Sequence, residues 1–159
     1  MATESLKFKI ELYSTYWNKP PIVEIKIGDK SYFQNEITST EKEPTLIEFT
    51  HDCEDNKSHN LAIIRTNKST KETIVENNKI IKDQLLHIKY IEIDEINIGS
   101  LVYEGVYTPE YPEPWASQQA KIGNKLPESY KNVTEMGHNG AWTFSFTSPF
   151  YMWLLENLY

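Results

Sequence analysis

Apolar and polar residues alternate from Leu6 to Leu12, with Leu6, Phe8, Ile10 and Leu12 on one side and Lys7, Lys9 and Glu11 on the other. Successive side chains of an extended chain point to opposite faces, so this spacing predicts a strand with one buried face. Pro20 and Pro21 end the segment because they lack ladder donors. Alternation resumes from Ile22 to Ile27, and Gly28-Asp29-Lys30 predicts a tight hairpin to Ser31–Gln34. Further strands are expected at Thr45–Thr50 and Leu61–Thr66, with a polar loop from His51 to Asn60 between them. Asn67 to Lys79 is almost wholly polar and is expected to be a mobile loop. Gln84 to Ile93 carries apolar residues on both faces and predicts a long strand, and Asn97 to Tyr103 predicts another after a turn at Asp94-Glu95.

Periodicity fails from Gly105 to Pro127. Tyr103, Tyr107, Tyr111 and Trp115 recur every four residues, a helical spacing, but Pro109, Pro112 and Pro114 fall between them and exclude a helix interior there. The expectation is an extended loop studded with rings. A short strand near Val133 and a turn at Gly137–Gly140 lead to Ala141–Thr147, where Trp142, Phe144 and Phe146 share a face. Ser148 and Pro149 have the residue types of a helix start, predicting a short helix to about Asn157. Phe150, Tyr151, Trp153, Leu154, Leu155 and Leu158 exceed what one helix face can bury, so part of this helix is expected to cap the sandwich and part to offer a subunit contact. Eight or nine short strands without βαβ alternation predict one all-β domain over 1–159, an antiparallel β-sandwich or jelly roll with a short C-terminal helix.

Composition narrows the function. The 159 residues suffice for a hydrophobic core without staples, and the single cysteine, Cys53, excludes an internal disulfide and a Cys-rich zinc site. With 23 acidic against 16 basic residues the formal charge is -7, which repels a phosphate backbone and argues against nucleic-acid binding. No apolar run reaches the roughly 18 residues of a membrane span, and the first residues lack a signal-peptide pattern, so a soluble protein made in the cytoplasm is expected.

Ten tyrosines and four tryptophans suit a surface that binds through amphipathic rings. Tyr103, Tyr107, Tyr111 and Trp115 are the candidate contact residues, joined by Trp153 on the terminal helix. His51, Cys53, Asp55 and His59 match no zinc spacing and are read as members of a solvated loop. Glu110, Glu113 and Glu128 offer carboxylates for glycosidic cleavage, but surface charge explains them equally, and no catalytic residue is assigned. The chain is expected not to be an enzyme.

Lys82 to Ile98, with Leu61–Thr66 before it and Gly137–Trp142 after it, resembles the calcium-dependent xylan-binding carbohydrate-binding modules. Those are small β-sandwiches in which an aspartate opening a D-x-x-V-D-x-I-x-V-N-G strand helps hold a calcium ion chelated by sugar hydroxyls. The resemblance implies calcium as a cofactor with Asp83 as its ligand, and a turn at Ile93–Asn97. The family's second acidic position is His87 or Lys89 here, and its disulfide cysteines are absent. Leu101–Tyr107, Gly137–Trp142 and Phe146–Asn157 resemble uncharacterised small proteins of tailed phages of marine cyanobacteria and related viruses. That resemblance implies a virion-associated decoration or accessory module, made in the host cytoplasm, that binds other virion proteins or a host glycan. A homo-oligomer is compatible with it. The alternatives are a calcium-assisted carbohydrate-binding module and, third, a glycan-acting enzyme.

Overall fold

A computed structural model of the chain describes residues 2–158, with the side chains of Ser100, Tyr103 and Leu158 outside the description. In chain order the strands are β1 (Thr3–Thr15), β2 (Ile22–Ile27), β3 (Lys30–Glu36), β4 (Thr45–Glu54), β5 (Ser58–Thr66), β6 (Ile74–Glu76), β7 (Lys79–Lys82), β8 (Leu85–Ile93), β9 (Ile96–Asn97), β10 (Val106–Pro109), β11 (Tyr130–Lys131), β12 (Glu135–Met136) and β13 (Gly140–Thr147). Helix α1 spans Trp115–Lys121 and α2 spans Phe150–Leu158. One sheet runs β12-β8-β1-β4 with β9 added to β8, the other runs β11-β10-β13-β5-β2-β3, and β6-β7 form a separate hairpin. The expected antiparallel sandwich is the fold.

The core lies between the sheets. Leu6, Phe8, Ile10 and Leu12 of β1 are fully buried, as are Val23 and Ile25 of β2, Leu61 and Ile63 of β5, and Trp142 of β13. Phe8 stacks on Phe49 of its own sheet at 5.0 Å and meets Phe146 of the opposite sheet at 6.2 Å between ring centroids. Each such side chain contributes about 1.5–3 kcal/mol by leaving water, so the alternation along β1 and β13 drives the two sheets together. Gly105 lets the chain pass over the Trp142 indole, because a Cβ there would overlap the ring.

Strand β8 resolves the two-faced pattern of Gln84 to Ile93. Leu12 pairs with Ile88 and Glu11 with Tyr90, so Lys89 is an extra residue, a β-bulge. The bulge shifts alternation by one position, and Leu86 and Ile88 before it, like Ile91 and Ile93 after it, all enter the core. The Asp94-Glu95 turn forms as expected, both residues having positive φ of 53° and 66°.

Several expectations are corrected. His51–Asn60 is not a loop, since β4 continues to Glu54 and β5 begins at Ser58. Asn67–Lys79 is not a free loop either: Ser69 and Glu72 form a capping box on a 3-10 turn, Thr70–Glu72, followed by β6. Asn97–Tyr103 gives only the end of β9 before a 3-10 turn at Gly99–Glu104, where Gly99 takes φ 47° and ends the extended run. The strand near Val133 is two short strands on different sheets, the chain crossing between them after Asn132 at φ 63°.

Gly105–Pro127 contains β10 and helix α1, not an extended loop throughout. Proline excludes a helix interior but not its start, and α1 opens directly after Pro114, where no backbone donor is needed. At α2 the expected Ser148 cap is replaced by a distant one. The Glu4 carboxylate of β1 accepts from the Phe150 N–H at 2.9 Å and from the Ser148 hydroxyl at 2.6 Å. Placing an anion at a helix N-terminus, this contact ties the end of the chain to its beginning.

Candidate functional site

At one end of the sandwich the segment after β5, the β6-β7 hairpin, the turn Gly137–Asn139 and the start of α1 surround a cleft of about 420 Å³. Its geometry is set by reciprocal backbone clamps. Asn139 accepts from the Lys68 N–H at 3.1 Å through its side-chain oxygen and donates its amide to the Lys68 carbonyl at 2.9 Å. The loop after β5 is thereby locked to the turn before β13.

Lys68 and Asp83 form the charged wall. The ammonium donates to Asp83 Oδ1 at 2.6 Å and also to the Gly137 carbonyl, and the two side chains are only 9% and 17% exposed. Oδ1 further accepts from the Thr73 hydroxyl at 2.7 Å and the Gln84 N–H at 2.8 Å. Burial alone would raise the Asp83 pKa, but these donors and the lysine charge outweigh it and hold the carboxyl below its ordinary value. Among the described residues, Asp83 Oδ2 and one ammonium proton are left over for a ligand.

Beneath this wall lies a buried polar pair. Arg65, fully buried, donates to the Gln84 side-chain oxygen and to the Gln84 and Met136 carbonyls at 3.4 and 3.3 Å. Gln84 in turn donates to the Lys19 and Asn67 carbonyls at 2.9 and 3.0 Å. The two side chains join four chain segments under the cleft. Burial pulls the Arg65 pKa down to about 10, which leaves it cationic at neutral pH.

The opposite wall is aromatic. Trp115, half-buried, stacks on His138 at 5.8 Å, and Tyr111 packs edge-on to His138 at 5.1 Å. Burial, then the Lys68 charge, lowers the His138 pKa, so the imidazole is neutral at pH 7. Val75 and Ile80 of the hairpin line the cleft although both are largely exposed, at 56% and 63%.

Of the residues singled out from sequence, Asp83 and Trp115 therefore line one cleft, and Tyr111 buttresses it. The Tyr111 hydroxyl donates to the Pro127 carbonyl at 2.5 Å and meets the Tyr130 hydroxyl at 3.1 Å, so it acts as a strut for the loop carrying Trp115. Tyr107 is corrected from contact surface to core. It is 3% exposed on β10, and its hydroxyl donates to the His138 carbonyl at 2.6 Å and accepts from the His138 N–H at 2.9 Å. Trp153 lies elsewhere, half-buried against Phe144 and Phe150 at 5.5 and 6.0 Å. The Tyr103 side chain lies outside the described residues. Glu110 lines the cleft, whereas Glu113 accepts from the Ser117 hydroxyl and, like Glu128, does not. No pair drawn from these three glutamates thus faces itself across the cleft.

Lys68, His138, Asn139, Arg65 and Gln84 escaped the sequence reading. Arg65 alone carried a signal, because it continues the inward series Leu61, Ile63 with a charge where an apolar residue belongs. The others lie in turns whose meeting depends on the fold.

No protein-family model matches the chain, and no curated protein matches it. Two solved structures are similar to the chain. One is vCBM60 in complex with galactobiose, at 12% identity and a TM-score of 0.49 over 87% of this chain and 96% of that one. The other is the selenomethionine form of vCBM60, whose description says that circular permutation provides an evolutionary link between two families of calcium-dependent carbohydrate-binding modules. It also has 12% identity and a TM-score of 0.49, over 87% of this chain and 89% of that one. Likeness at this level assigns neither a ligand nor a metal to the present chain.

Proposed function

We propose that this chain is a non-catalytic carbohydrate-binding module whose end cleft takes a glycan segment. The observation that carries the reading is the juxtaposition of the Trp115 ring with the Lys68–Asp83 pair around one cleft. A sugar ring presents a C–H face and a rim of hydroxyls. Trp115 suits the face, and a free ammonium proton beside a free carboxylate oxygen suits two neighbouring hydroxyls, one accepting and one donating. Lys68 supplies the cation beside Asp83 that the family resemblance assigns to calcium. Asp83, held ionised by that cation, is unsuited to donate a proton to a leaving group, which favours binding over hydrolysis.

Titration calorimetry against a panel of soluble oligosaccharides tests this directly. Binding by the parent and its loss in Trp115→Ala, with an unchanged circular dichroism spectrum, is the expected result. Equal affinity in that variant overturns the reading.

A second reading, docking on another protein within a virion, is favoured by Tyr151, Met152 and Leu155, exposed at 52%, 57% and 62% on α2. Mass spectrometry of purified particles, with the chain absent, would remove it.

A further inference from the structure

Strands β4 and β5 run in different sheets and are joined by the short turn between Glu54 and Ser58. At that end of the sandwich, inward positions of β4 carry His51 and Cys53 and an inward position of β5 carries His59. Cys53 is fully buried and both histidines are half-buried. One nitrogen of each imidazole and the Cys53 sulfur all lie within 4.8 Å of one another. Their sequence spacing matches no zinc pattern, because the three residues stand on two strands and not in one loop. On two strands crossing between sheets, the spacing that matters is spatial.

We propose that His51, Cys53 and His59 bind a zinc(II) ion, which staples the two sheets at this end. Zinc takes imidazole nitrogen at about 2.0 Å and thiolate sulfur at about 2.3 Å, so tetrahedral ligand atoms stand roughly 3.3–3.6 Å apart. Side-chain rotation brings atoms already within 4.8 Å of one another to that spacing. Two second contacts already orient the rings as a metal site requires. His59 Nε2 lies 3.0 Å from the Glu54 carbonyl, which only accepts, so in the neutral ring Nδ1 carries the lone pair. The Tyr32 hydroxyl engages His51 Nδ1, leaving Nε2 for the ion. On binding, the Cys53 S–H bond breaks, an S–Zn bond forms and the proton passes to buffer. Solvent completes the fourth position. Two imidazoles and one thiolate are nitrogen and sulfur donors of the borderline class, which separates this site from any calcium site.

Full-length protein stripped with EDTA and dialysed is titrated with cobalt(II), then zinc(II). A near-ultraviolet thiolate-to-cobalt charge-transfer band that zinc abolishes at one equivalent, and a rise in Tm with zinc, are expected. His51→Ala and His59→Ala should each weaken zinc by at least about tenfold. Cys53→Ser should lose the band, and should this variant fail to fold, protection of Cys53 from a thiol reagent by zinc in the parent replaces it. Absence of the band and of any Tm rise overturns the site. So does a band or thiol protection that persists in the double variant His51→Ala, His59→Ala, which would assign the metal to other residues. Because glycan binding is measured at the cleft with Trp115→Ala, failure here leaves the proposed function standing.

Discussion

Lys68 Nζ lies 2.6 Å from Asp83 Oδ1, where the family resemblance calls for a metal ion. An ammonium engages fewer oxygens than calcium coordinates, but it neutralises the same carboxylate without any need for calcium. Lys68→Ala leaves Asp83 with a partly buried charge and should cost about 1–3 kcal/mol in urea unfolding. Millimolar calcium should leave the Tm of the parent unchanged and raise that of Lys68→Ala. A calcium-induced rise in the parent would instead support the metal reading of Asp83.

Tyr107 and Trp115, eight positions apart in one aromatic series, should behave oppositely. Tyr107→Ala opens a core cavity and frees the His138 backbone groups, with an expected loss of about 3–5 kcal/mol. Trp115→Ala, at a half-buried cleft wall, should cost less than about 1.5 kcal/mol while abolishing glycan binding. Chemical denaturation and calorimetry on both variants separate the two roles.

Removing the cap that joins the chain ends, Glu4→Ala, should destabilise by about 1–2 kcal/mol, because the Phe150 N–H and the Ser148 hydroxyl both lose an ionised acceptor. Ser148→Ala should cost less than Glu4→Ala, since Ser148 is a donor to the cap and not the cap itself. A larger effect at Ser148 would contradict that assignment. Thermal unfolding of both variants decides it.

Stability should fall on acidification. Burial lowers the pKa of His51, His87 and His138 below the ordinary 6.5, so the unfolded chain takes up protons first as the pH drops through that value. Asp83 and Glu72 continue the loss at lower pH. At Glu72 burial acts upward, but hydrogen bonds from Ser69 and the charge of Lys19 outweigh it and hold the carboxyl below its ordinary 4.5. Asp83 is likewise held below 3.8. Each depressed group contributes stability above its unfolded value and loses it as pH falls through the folded one. Urea midpoints that decline steadily from about pH 7 to about pH 4 are expected, and a flat profile would contradict the histidine shifts.

Period-two patterning by itself determined β1, β2, β5 and β13 and their inward faces, because burial on one side of a pleat writes an alternation that any register preserves. The recurrence of rings every four residues marked Tyr111 and Trp115, and the family resemblance marked Asp83. Patterning could not see the bulge at Lys89, since one extra residue changes which alternate positions face the core only once β1 lies beside β8. Nor could it sort Tyr107 from Trp115, whose burial depends on which strand pairs with β10. Lys68, His138 and Asn139 meet Asp83, and His59 meets His51 and Cys53, through sheet pairing and strand crossing. Tertiary structure alone decided both sites, because a cleft or a ligand set is a relation among distant segments, and local periodicity carries no information about which distant segments will be neighbours.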